Sequence, residues 1–161
     1  MKLLLFTDGS VNPKQGVGFG AYLELPEMPG DIETLSALIK IKRFENTSST
    51  KLELQTLLWA LSQISNGEIV SYTDSQNIVS LLSRKEQLEE KNFCSKNGRP
   101  LNNAELYREF FAKTEKLDIQ FQQVNGHKPS GIKNNIDKIF SLVDRASRNA
   151  LRTYCESDAA R

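Results

Sequence analysis

Two aspartates end two stretches of the same kind. Leu3, Leu4, Leu5 and Phe6 form an apolar run that stops on Thr7-Asp8-Gly9-Ser10, and Glu68 to Thr73 is a short strand pattern that stops on Asp74-Ser75. An apolar run with no polar face reads as a strand buried on both sides. An acid at the lip of such a strand lies where open α/β sheets place their ligands, although an Asp before Gly is also an ordinary start to a turn. A helical pattern separates the second strand from those before it, which makes the two strands parallel neighbours. Both carboxylates then stand at one lip of the sheet. Like charges that close repel unless a cation lies between them, so the pair points to a hard divalent cation.

Three further residues could take part. Glu53 sits at the edge of an apolar helical stripe, where it serves equally well as the reciprocal partner of Thr50 in a capping box. Asp144 lies inside a long helical pattern, an unfavoured place for an aspartate, and could pair with Arg145 or Arg148. His127 is the only histidine, in the loop from Asn125 to Gly131, where a lone imidazole is ordinarily solvated.

These residues need particular elements to position them. Lys2 to Ser10 is the first strand, and Val17 to Glu24 the second, with Val17, Phe19, Ala21 and Leu23 at alternate positions. Ala37 to Phe44 alternates as a third, so short connections predict an antiparallel meander. Gly16, Gly18 and Gly20 lack the spacing of a dinucleotide loop and precede a strand, so they are read as places where another part of the backbone comes close. A helix is predicted over Lys51 to Ser65, with Leu54, Leu57, Leu58, Leu61 and Ile64 buried. Further helices are predicted over Gln76 to Ser83, from Asn102-Asn103 to Lys116, and over Asn135 to Thr153. Asp118 to Val124 is the fifth strand, and Arg84 to Arg99 a charged, solvated segment.

The whole chain sets wider bounds. At 161 residues it suits one domain, taken here as 1–154, with 155–161 a frayed tail. A formal net charge of +1 excludes a global basic field, so a nucleic acid would need a local patch. Cys94 and Cys155 match no metal spacing and suggest a reducing compartment. No apolar run reaches the length of a membrane span, and the first strand has no small-residue cleavage site. A cytoplasmic protein without membrane contact is expected.

The order β-β-β-α-β-α-insert-α-β-α, with Phe6-Thr-Asp-Gly-Ser10, Lys51-Leu-Glu-Leu54, Thr73-Asp-Ser-Gln76, Val124-Asn-Gly-His127 and Val143-Asp-Arg-Ala146, resembles ribonuclease H of the type 1 kind over about residues 3–151. The resemblance implies an α/β fold: a five-stranded mixed sheet of three antiparallel N-terminal strands and two parallel additions, flanked by helices. It implies a monomeric endonuclease that cuts the RNA strand of RNA–DNA hybrids, leaving 5′-phosphate and 3′-hydroxyl ends. Asp8, Glu53, Asp74 and Asp144 would be the metal-binding carboxylates, holding two Mg²⁺ ions, or Mn²⁺ in their place, with Asp8 between them. His127 would assist proton transfer or product release. Gly9, Ser10, Asn12, Ser49, Thr50, Lys51 and Gln76 would face the hybrid, which such enzymes tell apart by shape and the 2′-hydroxyl.

The chain departs from the family pattern in several places. Ser49-Thr50 stand where an Asn pair is frequent, and Lys51 where Arg is. The loop after Ser10 is short and the segment from His127 to Asp144 long. The insert from Arg84 to Arg99 matches the substrate-binding handle of some bacterial members, but it carries Glu86, Glu89 and Glu90 and no tryptophan, which implies a weaker electrostatic grip. The competing reading is a hybrid-binding module without turnover. A proofreading-type exonuclease would want Asp-x-Glu where Asp8-Gly9-Ser10 stands, and an integrase would end its acidic set in Glu rather than Asp144.

Overall fold

The run Leu3 to Phe6 is taken up on both faces of a sheet. The structure, a computed structural model, describes residues 2–65, 67–125 and 134–159. Strand β1 (Lys2–Asn12) lies at its centre, in the order β3-β2-β1-β4-β5. β2 (Val17–Leu25) and β3 (Lys40–Phe44) extend the sheet antiparallel on one side, while β4 (Glu68–Thr73) and β5 (Asp118–Gln123) add to it in parallel on the other. This is the mixed sheet that the sequence implied.

Alternation along the strands feeds two cores. Leu5 and Ile69 face helices α1 (Ser49–Ser62), α2 (Gln76–Leu81) and α4 (Ala104–Glu115), packing with Leu54, Leu57, Leu61, Phe110 and Phe111. Leu4, Phe6, Val70 and Tyr72 face α5 (Asn135–Ala159), packing with Ile139, Phe140 and Val143. Phe6 and Tyr72 stack at 4.8 Å across the β1–β4 register. Among the described residues no helix is long and apolar enough to cross a membrane.

Helix α1 docks on a patch of sheet that carries no side chains. Gly9 lies opposite Gly20 in the β1–β2 register, with Gly18 opposite Val11. A Cβ on Gly9 would stand 2.9 Å from Leu52 Cδ2, one on Gly18 2.7 Å from the same atom, and one on Gly20 2.9 Å from Thr56 Cγ2. The close approach expected at Gly18 and Gly20 is made chiefly by side chains of α1, with the Ser10 backbone oxygen also 3.2 Å from a Cβ on Gly18.

Several local expectations give way to tertiary structure. Ala37 belongs to a 3₁₀ helix, Glu33–Leu38, rather than to β3. The Asp31 carboxylate accepts the Glu33 N–H at 3.0 Å and starts that turn. Helix α1 begins at Ser49 with Ser48 as its uncapped N-cap, so the Thr50–Glu53 box does not form. A reciprocal box appears instead at α5, where the Asn134 and Asp137 side chains each accept the other's N–H, at 2.9 and 3.2 Å. The segment after α2 coils through a 3₁₀ turn (Leu82–Arg84) into α3 (Lys85–Glu90), then buries Phe93 against Phe111, with the Arg108 guanidinium over the Phe93 ring.

The last helix also continues past Thr153 to Ala159, so Cys155 to Ala159 are helical rather than frayed. Long-range contacts hold that end. Tyr154 packs on Phe19, Asn12 Nδ2 donates to Cys155 Sγ at 3.5 Å, and Gln15 Nε2 donates to Asp158 Oδ2 at 3.2 Å.

The docking patch is testable. Gly20→Ala should lower the unfolding free energy by roughly 1–3 kcal/mol in denaturant titration, because a methyl must push Thr56 and α1 away. Gly30→Ala, with nothing within 4 Å of its new methyl, should leave stability unchanged; equal effects at both sites would refute the steric argument.

Candidate active site

Asp8 does not end its strand. β1 continues to Asn12 paired with β2, whereas its parallel pairing with β4 stops at Phe6↔Tyr72. β4 ends at Thr73 because Ser75 turns the chain into α2: its Oγ accepts the Ile78 N–H at 3.2 Å and caps the helix. One flank of β1 is thereby opened beside Asp8. Two residues past the last pair, the register brings Asp8 level with Asp74.

Two helices bring further acids to the same opening. Glu53, in the first turns of α1, accepts the Ser75 hydroxyl at 2.7 Å. Asp144, on α5, shares a hydrogen bond with Asp8 and pairs with Arg148 Nη2 at 2.7 Å, one turn on. Ser147 Oγ donates to the Asp144 carbonyl and lies 3.0 Å from Ser10 Oγ, which ties α5 to β1 just past Asp8.

The sequence-predicted residues do not all meet in one place. Asp8, Gly9, Ser10, Ser49, Glu53 and Asp74 line one open pocket of about 430 Å³, together with Arg148 and Leu151. Thr50 lines a different one, of about 410 Å³, with Ser48, Arg84, Asn102, Asn103 and Tyr107. Lys51 Nζ reaches back to the Asn46 carbonyl at 3.0 Å. Asn12 is engaged with Cys155 and with the Lys14 N–H, and Gln76 is exposed at the start of α2. His127 lies outside the described residues.

Ser75 and Arg148 are the side chains that the motif reading passed over. Ser75 carried a signal, since a Ser just before an apolar-periodic stretch marks an N-cap. Arg148 was visible as a possible partner of Asp144, four residues on, but not as part of a pocket.

The electrostatics follow from the packing. Burial, then the Asp74 charge, then the hydrogen bond to Asp144 and its charge, push the Asp8 carboxyl up to about 9. The Gly9 N–H opposes this. Burial also raises Glu53; the Ser75 hydroxyl lowers it, and the Asp74 charge raises it further. Among the described residues no three acidic, histidine or cysteine side chains are gathered closely enough to hold a metal ion without adjustment. The donor set nonetheless fits one. It is all carboxylate oxygen, the preference of Mg²⁺, and its mutual repulsion is of the kind that a divalent cation relieves.

The chain is similar to known proteins both in sequence and in fold. A family model described as RNase H matches residues 1–150. Ribonuclease H of Zymomonas mobilis subsp. mobilis is 30% identical over 128 residues, spanning 78% of this chain and 77% of that protein. Ribonuclease H of Rickettsia typhi is 29% identical over 131 residues, spanning 78% and 80%. In fold, the chain is similar to the crystal structure of LC9-RNase H1, a type 1 RNase H with the type 2 active-site motif, with a TM-score of 0.67 at 17% identity over 92% of this chain and 71% of that one. It is also similar to prototype foamy virus protease-reverse transcriptase, with a TM-score of 0.68 at 17% identity over 91% of this chain and 20% of that one.

The raised Asp8 carboxyl has a sign that can be checked. The folded chain holds the Asp8 proton more tightly than the unfolded one, so the stabilisation is complete below about pH 4 and is lost as pH rises through about 9. With chelator present, the unfolding temperature should fall across that window, and Asp8→Asn should flatten the fall. An unaltered slope in Asp8→Asn would count against the assignment. Ser75→Ala should cost about 1 kcal/mol of stability through the lost cap. It should also move the Glu53 carboxyl titration, followed by NMR, further upward; a titration that stays put would show that Ser75 does not govern Glu53.

Proposed function

We propose, from the premise that this chain belongs to the ribonuclease H family, that it is an endonuclease hydrolysing the RNA strand of RNA–DNA hybrids. The observation that carries this reading is the pocket beside β1, where Asp8, Glu53 and Asp74 converge from a strand, a helix and a strand end, with Asp144 in hydrogen-bond contact with Asp8. Asp8, Glu53 and Asp74 would hold one Mg²⁺, and Asp8 with Asp144 a second. When bound, such a pair of cations makes the attacking water more nucleophilic and neutralises the leaving oxygen, which leaves 5′-phosphate and 3′-hydroxyl ends. Mn²⁺ would serve in the same oxygen-rich set.

The chain's own residues do the positioning. Ser75 fixes the Glu53 carboxylate from a capped helix start, so little reorganisation is left for the moment of reaction. The backbone at Gly9 and Ser10 would lie close to the RNA strand, and Ser10 and Ser49 offer hydroxyls from the same wall. Asn12 and Gln76 would meet the hybrid at its minor groove, while Thr50 and Lys51 would contribute from the start of α1. Recognition of that kind depends on helix shape and the 2′-hydroxyl rather than on base identity. His127, following the family pattern, would carry a proton or speed product release.

A cleavage assay decides between this reading and a module that only binds. Labelled RNA–DNA hybrid, duplex RNA and duplex DNA are incubated with the protein in Mg²⁺ or in chelator. Only the hybrid should be cut, only with Mg²⁺, and Asp74→Asn should abolish cutting while still binding the hybrid. Metal-independent cleavage, or full activity in Asp74→Asn, would overturn it.

A further inference from the structure

We propose that Arg148 is the resident counterion of Asp144, which a divalent cation has to displace before taking that carboxylate, so that the two halves of the acidic set load unequally. The inference rests on the reading of Asp144 as a cation ligand. Its basis is the contrast between the partners of two acids. Glu53 is held by the neutral hydroxyl of Ser75, which brings no charge to compete with a cation. Asp144 is held by a guanidinium at 2.7 Å, and Arg148 is the one cationic side chain among the described residues lining the pocket with Asp8, Glu53 and Asp74.

Helix geometry makes the pairing persistent. Asp144 and Arg148 are four residues apart on α5, the spacing at which side chains meet on one helix face. Ser147, between them, is fully buried and anchored on Ser10, so this face of α5 cannot turn away from β1. A cation approaching Asp144 therefore meets a positive charge already in place, whereas one approaching Glu53 does not. The Arg148 side chain is 62% exposed, which screens the pair and keeps the competition modest. The ion pair thus delays the cation at Asp144 rather than excluding it. The Glu53 side of the pocket fills first, and the Asp144 side fills second.

The test reads metal binding without substrate. Mn²⁺ is titrated into the wild type, Arg148→Ala, Arg148→Lys, Asp144→Asn and the Arg148→Ala/Asp144→Asn double variant, with free ion followed by electron paramagnetic resonance and heat by calorimetry. Arg148→Ala should tighten the weaker binding event about two- to five-fold, the equivalent of one exposed ion pair. Arg148→Lys should remain near wild type, and the gain should vanish when Asp144 is Asn. Unchanged or weaker binding in Arg148→Ala, or the same gain without the Asp144 carboxylate, overturns the proposal. Hybrid cleavage by the wild type is scored separately. Shifted isotherms without cleavage support the counterion role and sink the proposed function, while cleavage with coincident isotherms sinks the counterion role alone.

Discussion

Helix α1 can lie where it does only because the sheet beneath it is bare. Gly9, Gly18 and Gly20 leave a hollow across β1 and β2 that Leu52 and Thr56 fill. Any side chain there would hold the helix off the sheet. The first turns of α1 carry Ser49 and Glu53 to the wall of the pocket, and Glu53 reaches the Ser75 hydroxyl at 2.7 Å. A small outward shift of the helix would break that contact and take the glutamate away from Asp8 and Asp74. The spacing of the acids is thus set by van der Waals contact between α1 and the sheet, not by any attraction among the acids themselves.

Attraction could not set it, because the acids repel. Asp8 is surrounded by the charges of Asp74 and Asp144 and by a desolvating environment, and each of these raises its proton affinity. The convergence is maintained by the apolar clusters on the two faces of the sheet. Leu5, Leu54, Leu57 and Phe110 draw α1 and α4 onto one face, while Phe6, Ile139, Phe140 and Val143 draw α5 onto the other. Hydrophobic burial, which does not depend on direction, puts directional and mutually unfavourable groups in one place. Strained arrangements of this kind gather where a protein has something to bind.

Much of the scaffold could be read from the chain because its signals are local. The apolar run before Asp8, the period-two pattern of β2 and the leucine stripe of α1 each specify an element by themselves. The helix between the meander and β4 was enough to make β1 and β4 parallel. The echo of Thr-Asp in two parallel strands indicated that Asp8 and Asp74 would share a lip. What escaped depended on distant partners. Thr50 with Glu53 and Asn134 with Asp137 present the same capping pattern, but α1 starts one residue before Thr50 and Glu53 turns to the Ser75 hydroxyl, so the first goes unused. Tyr154, Cys155 and Asp158 look like a tail until Phe19, Asn12 and Gln15 are placed beside them. Phe93 sits in a charged stretch at positive φ, where no periodicity could have marked it as core. At the pocket, the pairing of Asp144 with Arg148 is legible from their spacing, whereas Ser75 matters to Glu53 through a contact that only the fold supplies.

The contact between β1 and α5 has a bearing on how the protein is made. Ser10 meets Ser147 across a separation of 137 residues, and Asn12 meets Cys155 across 143. Asp8 leaves the ribosome well before Asp144. Contacts of such long range form late, since the loop between them must be closed first. A nascent chain that has completed the meander and α1 already displays Asp8 and Glu53 but has no Asp144 to complete the acidic set. The emerging polypeptide therefore lacks its full acidic set until α5 has been made and is free to fold.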